Sequence, residues 1–125
     1  NMYGKSSKIN LPSSIKSSIN TNLMVLGSIV FYFIISSILI ETFNIGYPFD
    51  IFLRGILEMT QGLNNVIQLN SNIKLITTII FITFGGLSIH TQVKCILDEY
   101  GLDYKYFFKG RILQLVIAII LTFIP

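Results

Sequence analysis

Leu23-Met24-Val25-Leu26-Gly27-Ser28-Ile29-Val30-Phe31-Tyr32-Phe33-Ile34-Ile35-Ser36-Ser37-Ile38-Leu39-Ile40 is the stretch that decides the fold. It carries no charge. Continued to Phe43, with Glu41 and Thr42 at the boundary, it predicts a membrane-spanning helix. About 20 residues at about 1.5 Å each cross a hydrocarbon core of about 30 Å. A signal peptide is the competing reading, because Lys5, Lys8 and Lys16 precede the run. The apolar core is long for that, and no small-residue cleavage site follows it. Ser28, Tyr32 and Ser36 stand at i, i+4 and i+8, on one helix face. That stripe either meets other helices or hydrogen-bonds its own backbone.

The rest of the chain has the same character. Of 125 residues, 52% are hydrophobic and 12% are charged, and the mean hydropathy is +0.70. The charged share is about half that of an ordinary soluble domain. These values exclude a disordered tail and argue against a water-soluble domain. The net charge of +3 is modest. The basic residues flank apolar runs, where they orient a membrane protein, and do not gather with aromatic residues as in a nucleic-acid binder. Cys95 and His90 are the only residues of their kinds. Neither a disulfide within the chain nor a Cys/His zinc site can be built from them. No nucleophile–base set and no glycine-rich phosphate cradle is present. The expectation is therefore no enzyme, no catalytic residue, no cofactor and no metal. The chain opens on Asn1 and closes on Pro125 after an apolar run, which reads as a piece of a longer protein.

Outward from the first run, residues 1–22 form a polar basic tail, either mobile or laid on a surface as an amphipathic segment. Residues 44–48 are a break, punctuated by Gly46 and Pro48. Within 49–69, Asp50, Arg54, Glu58, Gln61, Asn65 and Gln68 make a polar stripe at helical spacing. This segment is either one amphipathic helix or a helix broken near Thr60-Gln61-Gly62. Residues 75–93 are uncharged, strongly apolar at first, then glycine-rich and polar. Gly85-Gly86 followed by Ser88, His90 and Gln92 suits a discontinuous helix lining a cavity. Residues 94–111 form a charged connection. The apolar run 112–124 gives roughly 20 Å of helix, so a partial third span is placed at 106–125.

Charge sets the topology. The tail has three lysines and the 94–111 connection four basic residues, against Arg54 and Lys74 between positions 41 and 74. The tail and the connection therefore belong on the cytoplasmic side. This requires 23–43 and 75–93 to cross, and 49–69 to re-enter or lie within the protein. The fold class read here is all-α and integral to the membrane, with a membrane domain over 23–125.

Three strings then resemble a known family. They are Gly55-Ile56-Leu57-Glu58-Met59-Thr60-Gln61-Gly62-Leu63, Phe84-Gly85-Gly86-Leu87-Ser88-Ile89-His90-Thr91-Gln92-Val93 and Tyr104-Lys105-Tyr106-Phe107-Phe108-Lys109-Gly110-Arg111-Ile112. Together they are similar to the C-terminal part of the YlbJ-type sporulation integral membrane proteins of spore-forming Firmicutes, within the nucleoside-recognition, or gate-domain, proteins. The resemblance covers about residues 23–125. It implies a partial fold like that of concentrative nucleoside transporters, built from inverted repeats with re-entrant hairpins and broken helices. It also implies transport of a small organic anion, dipicolinic acid, across the outer forespore membrane. The alternative is a structural or assembly membrane protein needed for spore formation. The partners expected are the lipid bilayer, the anion, and a second copy or a missing N-terminal half; nucleic acid is not among them.

The residues assigned to substrate binding are Glu58, Thr60, Gln61, Asn64, Gly85, Gly86, Ser88, His90 and Gln92. A carboxylate at membrane depth pairs or serves a solute path, so Glu58 is either functional or part of an ion-pair ladder with Arg54 and Asp50. Thr60, Gln61 and Asn64 offer amides and freed N–H groups to an anion, or bond between helices. Gly85 and Gly86 permit a break or tight packing. Ser88, His90 and Gln92 at spacing two would align on an irregular stretch. His90 either carries a proton or packs.

Overall fold

Asn10 and Pro12 start the first helix. The Asn10 side-chain oxygen accepts from the Ser13 N–H at 3.3 Å, and Pro12 occupies the first turn, where no donor is needed. The computed structural model describes residues 10–125. Helix α1 runs over Leu11–Thr42, about 48 Å at 1.5 Å per residue. It begins well before the apolar run. Residues 1–9 of the expected tail lie outside the described residues. Residues 11–22 are the exposed opening turns of α1, neither a mobile tail nor a separate surface segment. The physical reason is the cap at Asn10 and the absence of any glycine or proline between Pro12 and Gly27.

The remaining elements are α2 (Phe49–Leu57), α3 (Met59–Asn65), a 3-10 turn (Val66–Gln68), α4 (Ser71–Phe84), α5 (Gly86–Glu99) and α6 (Tyr104–Thr122). The chain is all-helical over the described residues.

Segment 49–69 takes the broken alternative, with the break two residues ahead of Thr60-Gln61-Gly62. The break falls at Glu58, whose backbone is extended (φ −142°, ψ 112°). Helices α2 and α3 fold back on each other as a hairpin. Gly62 lies against Gly55 so closely that a Cβ on Gly62 would collide with the Gly55 Cα. At the feet, the Tyr47 hydroxyl donates to the Gln68 carbonyl at 3.1 Å. Arms of nine and seven residues reach about 10–14 Å, under half a hydrocarbon core. Phe81 of α4 seats this hairpin. Its ring lies over both glycines, with ring carbons 2.7 and 2.8 Å from where a Gly62 Cβ would stand. Phe81, Ile51 and Leu69 form the buried apolar core, packed by Phe52, Met59, Leu63, Val66, Ile73 and Ile80.

Helices α4 and α5 are two parts of one interrupted helix, as the glycines predict. Gly85 and Gly86 both have positive φ (+86° and +76°), a conformation open to glycine without strain. Helix resumes at once on Gly86. Ser88 and Gln92 therefore share a face, with Gln92 Nε2 donating to Ser88 Oγ at 3.1 Å, and His90 points elsewhere. The irregular stretch expected for these three residues does not form.

Helix α6 packs along α4, and α1 packs on α5 and α2. The Tyr32 hydroxyl and Thr91 Oγ1 are 2.6 Å apart. Ser13, Lys16 and Asn20 share a groove with Ile96 and Glu99, so α1 and α5 run antiparallel. The stripe on α1 does both of the things expected of it. Ser28 bonds the Met24 carbonyl, Tyr32 crosses to α5, and Ser36 bonds the Phe33 carbonyl at 2.8 Å while facing Gln61.

Outside that apolar core, burial is inverted relative to a water-soluble domain. Ser36, Glu58, Thr77, Thr83, Ser88 and His90 are buried, while Leu23, Leu26, Phe31, Phe33, Ile34 and Ile38 are exposed along α1. Two stretches, Leu11–Thr42 and Ser71–Glu99, are long and apolar enough to cross a membrane. Helix α6 is apolar only from Ile112, after Lys105, Lys109 and Arg111.

Candidate functional site at the crossing of two helix breaks

Breaking a helix frees N–H groups on one side and carbonyls on the other, and each must find a partner when buried. At the hairpin tip, the Glu58 N–H donates to the Arg54 carbonyl at 2.8 Å and closes α2. The Glu58 carboxylate then turns onto α3. It accepts from the N–H groups of Thr60 (3.3 Å) and Gln61 (3.0 Å) and from the Thr60 hydroxyl. Glu58 is thus the N-cap of α3, only 3% exposed, with its charge at the positive end of the helix.

This cap dismantles the expected ladder. Among the described residues, Arg54 has no carboxylate oxygen within 4 Å; the ion pairs are Lys94–Asp98 and Lys105–Asp103. Arg54 donates instead to Gln61 Oε1 at 3.2 Å. Gln61 Nε2 and Asp50 Oδ1 are buried without a partner.

At the other break, α4 ends with the Gly85 N–H on the Phe81 carbonyl at 2.9 Å. The next carbonyls are served by side chains from further along. Arg111 Nη1 donates to the Thr83 oxygen at 3.1 Å, and His90 Nε2 donates to the Phe84 oxygen at 2.9 Å. His90 Nδ1 accepts from the Tyr104 hydroxyl. The imidazole lies among the rings of Phe84, Tyr104, Phe107 and Phe108, and Arg111 stacks over Phe107 at 5.2 Å.

The two breaks touch. A Cβ on Gly86 would lie 2.9 Å from the Met59 nitrogen and 3.4 Å from both the Glu58 Cα and the Gly55 oxygen. The hairpin tip therefore rests on the interruption of the long helix, backbone against backbone. The first turn of α5 has no side-chain cap.

Of the residues assigned from sequence, Glu58, Thr60, Gln61, Gly85 and Gly86 converge on this crossing. Ser88 is close by in the first turn of α5 and fully buried. Asn64 is exposed on α3, Gln92 lies a turn beyond Ser88, and His90 turns towards α6. Sequence reasoning missed Gly55, Phe81, Tyr104 and Arg111. Gly55 and Gly62, seven apart in an apolar helix, were the available signal for a close approach. Nothing local tells that Arg111 reaches Thr83, 28 positions earlier. Among the described residues no group of three His, Cys, Asp or Glu side chains gathers as a metal would require.

No family model, no curated protein and no solved structure matches the chain.

Proposed function

We propose that this chain is a membrane-embedded part of a transporter, with a solute path at the crossing of the hairpin tip and the broken helix. In this reading α1 and the α4–α5 pair cross the bilayer. The α2–α3 hairpin re-enters from the far side, with its tip near mid-depth. The inverted burial supports a hydrocarbon surround, where apolar side chains face outward and polar ones inward. The antiparallel run of α1 and α5 supports a shared cytoplasmic side for Lys16 and the 94–111 connection. Short arms and interrupted helices are the irregular backbone that membranes tolerate only inside protein or along a cavity. The observation that carries the reading is the seat of Gly86 against Met59 and Glu58.

The substrate is a small organic anion, and dipicolinic acid at the outer forespore membrane is the case proposed from the resemblance of the Glu58 and Gly85-Gly86 strings. A second copy or an N-terminal half completes the path. The test is uptake of labelled dipicolinate by liposomes holding the full-length protein, the completing half included, with and without Gly86→Ala. Uptake lost in the variant supports the reading; uptake equal to that of empty liposomes removes it.

A structural or assembly role is favoured by one observation. Glu58, His90 and Arg111 are all engaged as helix caps. Solute-independent capture of another subunit by purified protein, without uptake, would select that reading.

A further inference from the structure

We propose that His90 is a proton-operated latch on the interrupted helix, a role that rests on contacts among α4, α5 and α6 and needs no solute. The Phe84 carbonyl can only accept, so His90 Nε2, 2.9 Å away, carries the ring hydrogen. Nδ1 is then a lone pair and takes the Tyr104 hydroxyl hydrogen. One neutral tautomer serves both contacts at once. It ties the last carbonyl of α4 to α5, and through Tyr104 to α6.

A second proton on Nδ1 reverses one contact and puts a charge in the cage. The acceptor becomes a donor, so the Tyr104 hydroxyl can serve it only by accepting, with its own hydrogen turned out of the pair. The charged and titratable groups around the imidazole give the proton no counter-charge. From α6 they are Tyr104 and the Arg111 guanidinium; from α4 the neighbour is Phe84, which is apolar. On α5 itself Lys94 follows one turn later. On α1 Tyr32 is engaged with Thr91, and on the hairpin Glu58 is engaged with the α3 amides. Among the described residues no carboxylate oxygen lies within 4 Å of His90. An imidazolium only 4% exposed, without a counter-ion, is costly. Leaving the aromatic cage relieves it and frees the Phe84 carbonyl. Arg111 on the Thr83 carbonyl then remains as the side-chain tether of the α4 end, beside two residues, Gly85 and Gly86, that lack a Cβ and already have positive φ. The break becomes a hinge.

The experiment uses the full chain in lipid nanodiscs. Spin labels go on the native Cys95, exposed on α5, and on Leu75→Cys, exposed on α4. A straight, unbroken helix would put the two about 30 Å apart at 1.5 Å per residue. Pulsed dipolar spectroscopy is run at about pH 8 and about pH 5, either side of the ordinary imidazole range. One distance population is expected at the higher pH and a second, displaced population at the lower. His90→Gln donates to Phe84 and accepts from Tyr104 without titrating, so it should keep the first population at both. Tyr104→Phe leaves the Nε2 contact with Phe84 but gives a protonated Nδ1 no acceptor, so it should keep the first population at the higher pH and show more of the second than the wild type at the lower. A single unchanged population in the wild type overturns the latch, as does a pH response that persists in His90→Gln. If His90→Gln does not fold, Tyr104→Phe decides alone: a distribution identical to wild type at both pH values overturns it. The sample holds no solute, so these outcomes leave the transport reading to the uptake assay.

Discussion

The two breaks meet at one point but are stabilised in opposite senses. At the hairpin tip a carboxylate, Glu58, serves freed N–H groups two and three residues later. At the interrupted helix a guanidinium and an imidazole, Arg111 and His90, serve freed carbonyls 28 and 6 residues earlier. The sign of each cap follows the helix dipole: acid at an N-terminus, donors and cations at a C-terminus. A broken helix in a poorly solvated place keeps its shape only where a side chain replaces the lost backbone partner. The tip is held locally, and the interruption is held from another helix. The first is therefore a fixed corner and the second an adjustable joint.

The comparison can be broken most sharply at the seat they share. Phe81→Ala removes the ring that covers Gly55 and Gly62, a large-to-small core change that costs about 3–5 kcal/mol. Thermal unfolding in detergent should show the largest fall of any variant here, with loss of the α2–α3 hairpin. Next comes Gly86→Ala. A Cβ at φ +76° costs about 1–2 kcal/mol, and the Met59 nitrogen 2.9 Å away adds to it. Hydrogen exchange should rise in both α3 and α5, because tip and interruption separate together. Glu58→Ala should cost about 1–2 kcal/mol as a lost cap, with faster exchange confined to α3. Glu58→Gln keeps one acceptor and should lose less. If Glu58 also meets a solute, that variant lowers uptake while membrane levels of the protein stay unchanged. Equal effects of Glu58→Ala on α3 and α5 would sink the distinction between local and remote caps. The smallest effect belongs to Tyr32→Phe, which removes one hydrogen bond to Thr91, worth about 0.5–1.5 kcal/mol. It should leave both breaks intact and loosen only the contact of α1 with α5.

What the sequence revealed divides along the same line. The helix over the 23–40 run follows from uninterrupted apolar residues, and the discontinuity at Gly85-Gly86 from paired glycines. Both are local signals. The exit from α2 was displaced, because Gly62 looked like a breaker and is in fact a packing surface for Gly55. The extended residue is Glu58, whose capping role needs only a carboxylate ahead of free amides. Spacing two among Ser88, His90 and Gln92 suggested an irregular stretch, but helix restarts on Gly86 itself. The early turns of α1 were hidden by their Ser and Asn content, which says nothing of length once a cap and an unbroken run are present. Arg111 and Tyr104 were legible only as members of the charged 94–111 connection. Their partners lie on other helices, and no single-sequence pattern encodes a contact across that distance.

The position of Phe81 also has a consequence for biosynthesis. The hairpin arms, nine and seven residues long, emerge from the ribosome before the aromatic ring that holds them together. Helices that short are not stable alone. Folding of residues 49–65 must therefore wait for the helix that follows them in translation, so this module assembles from back to front.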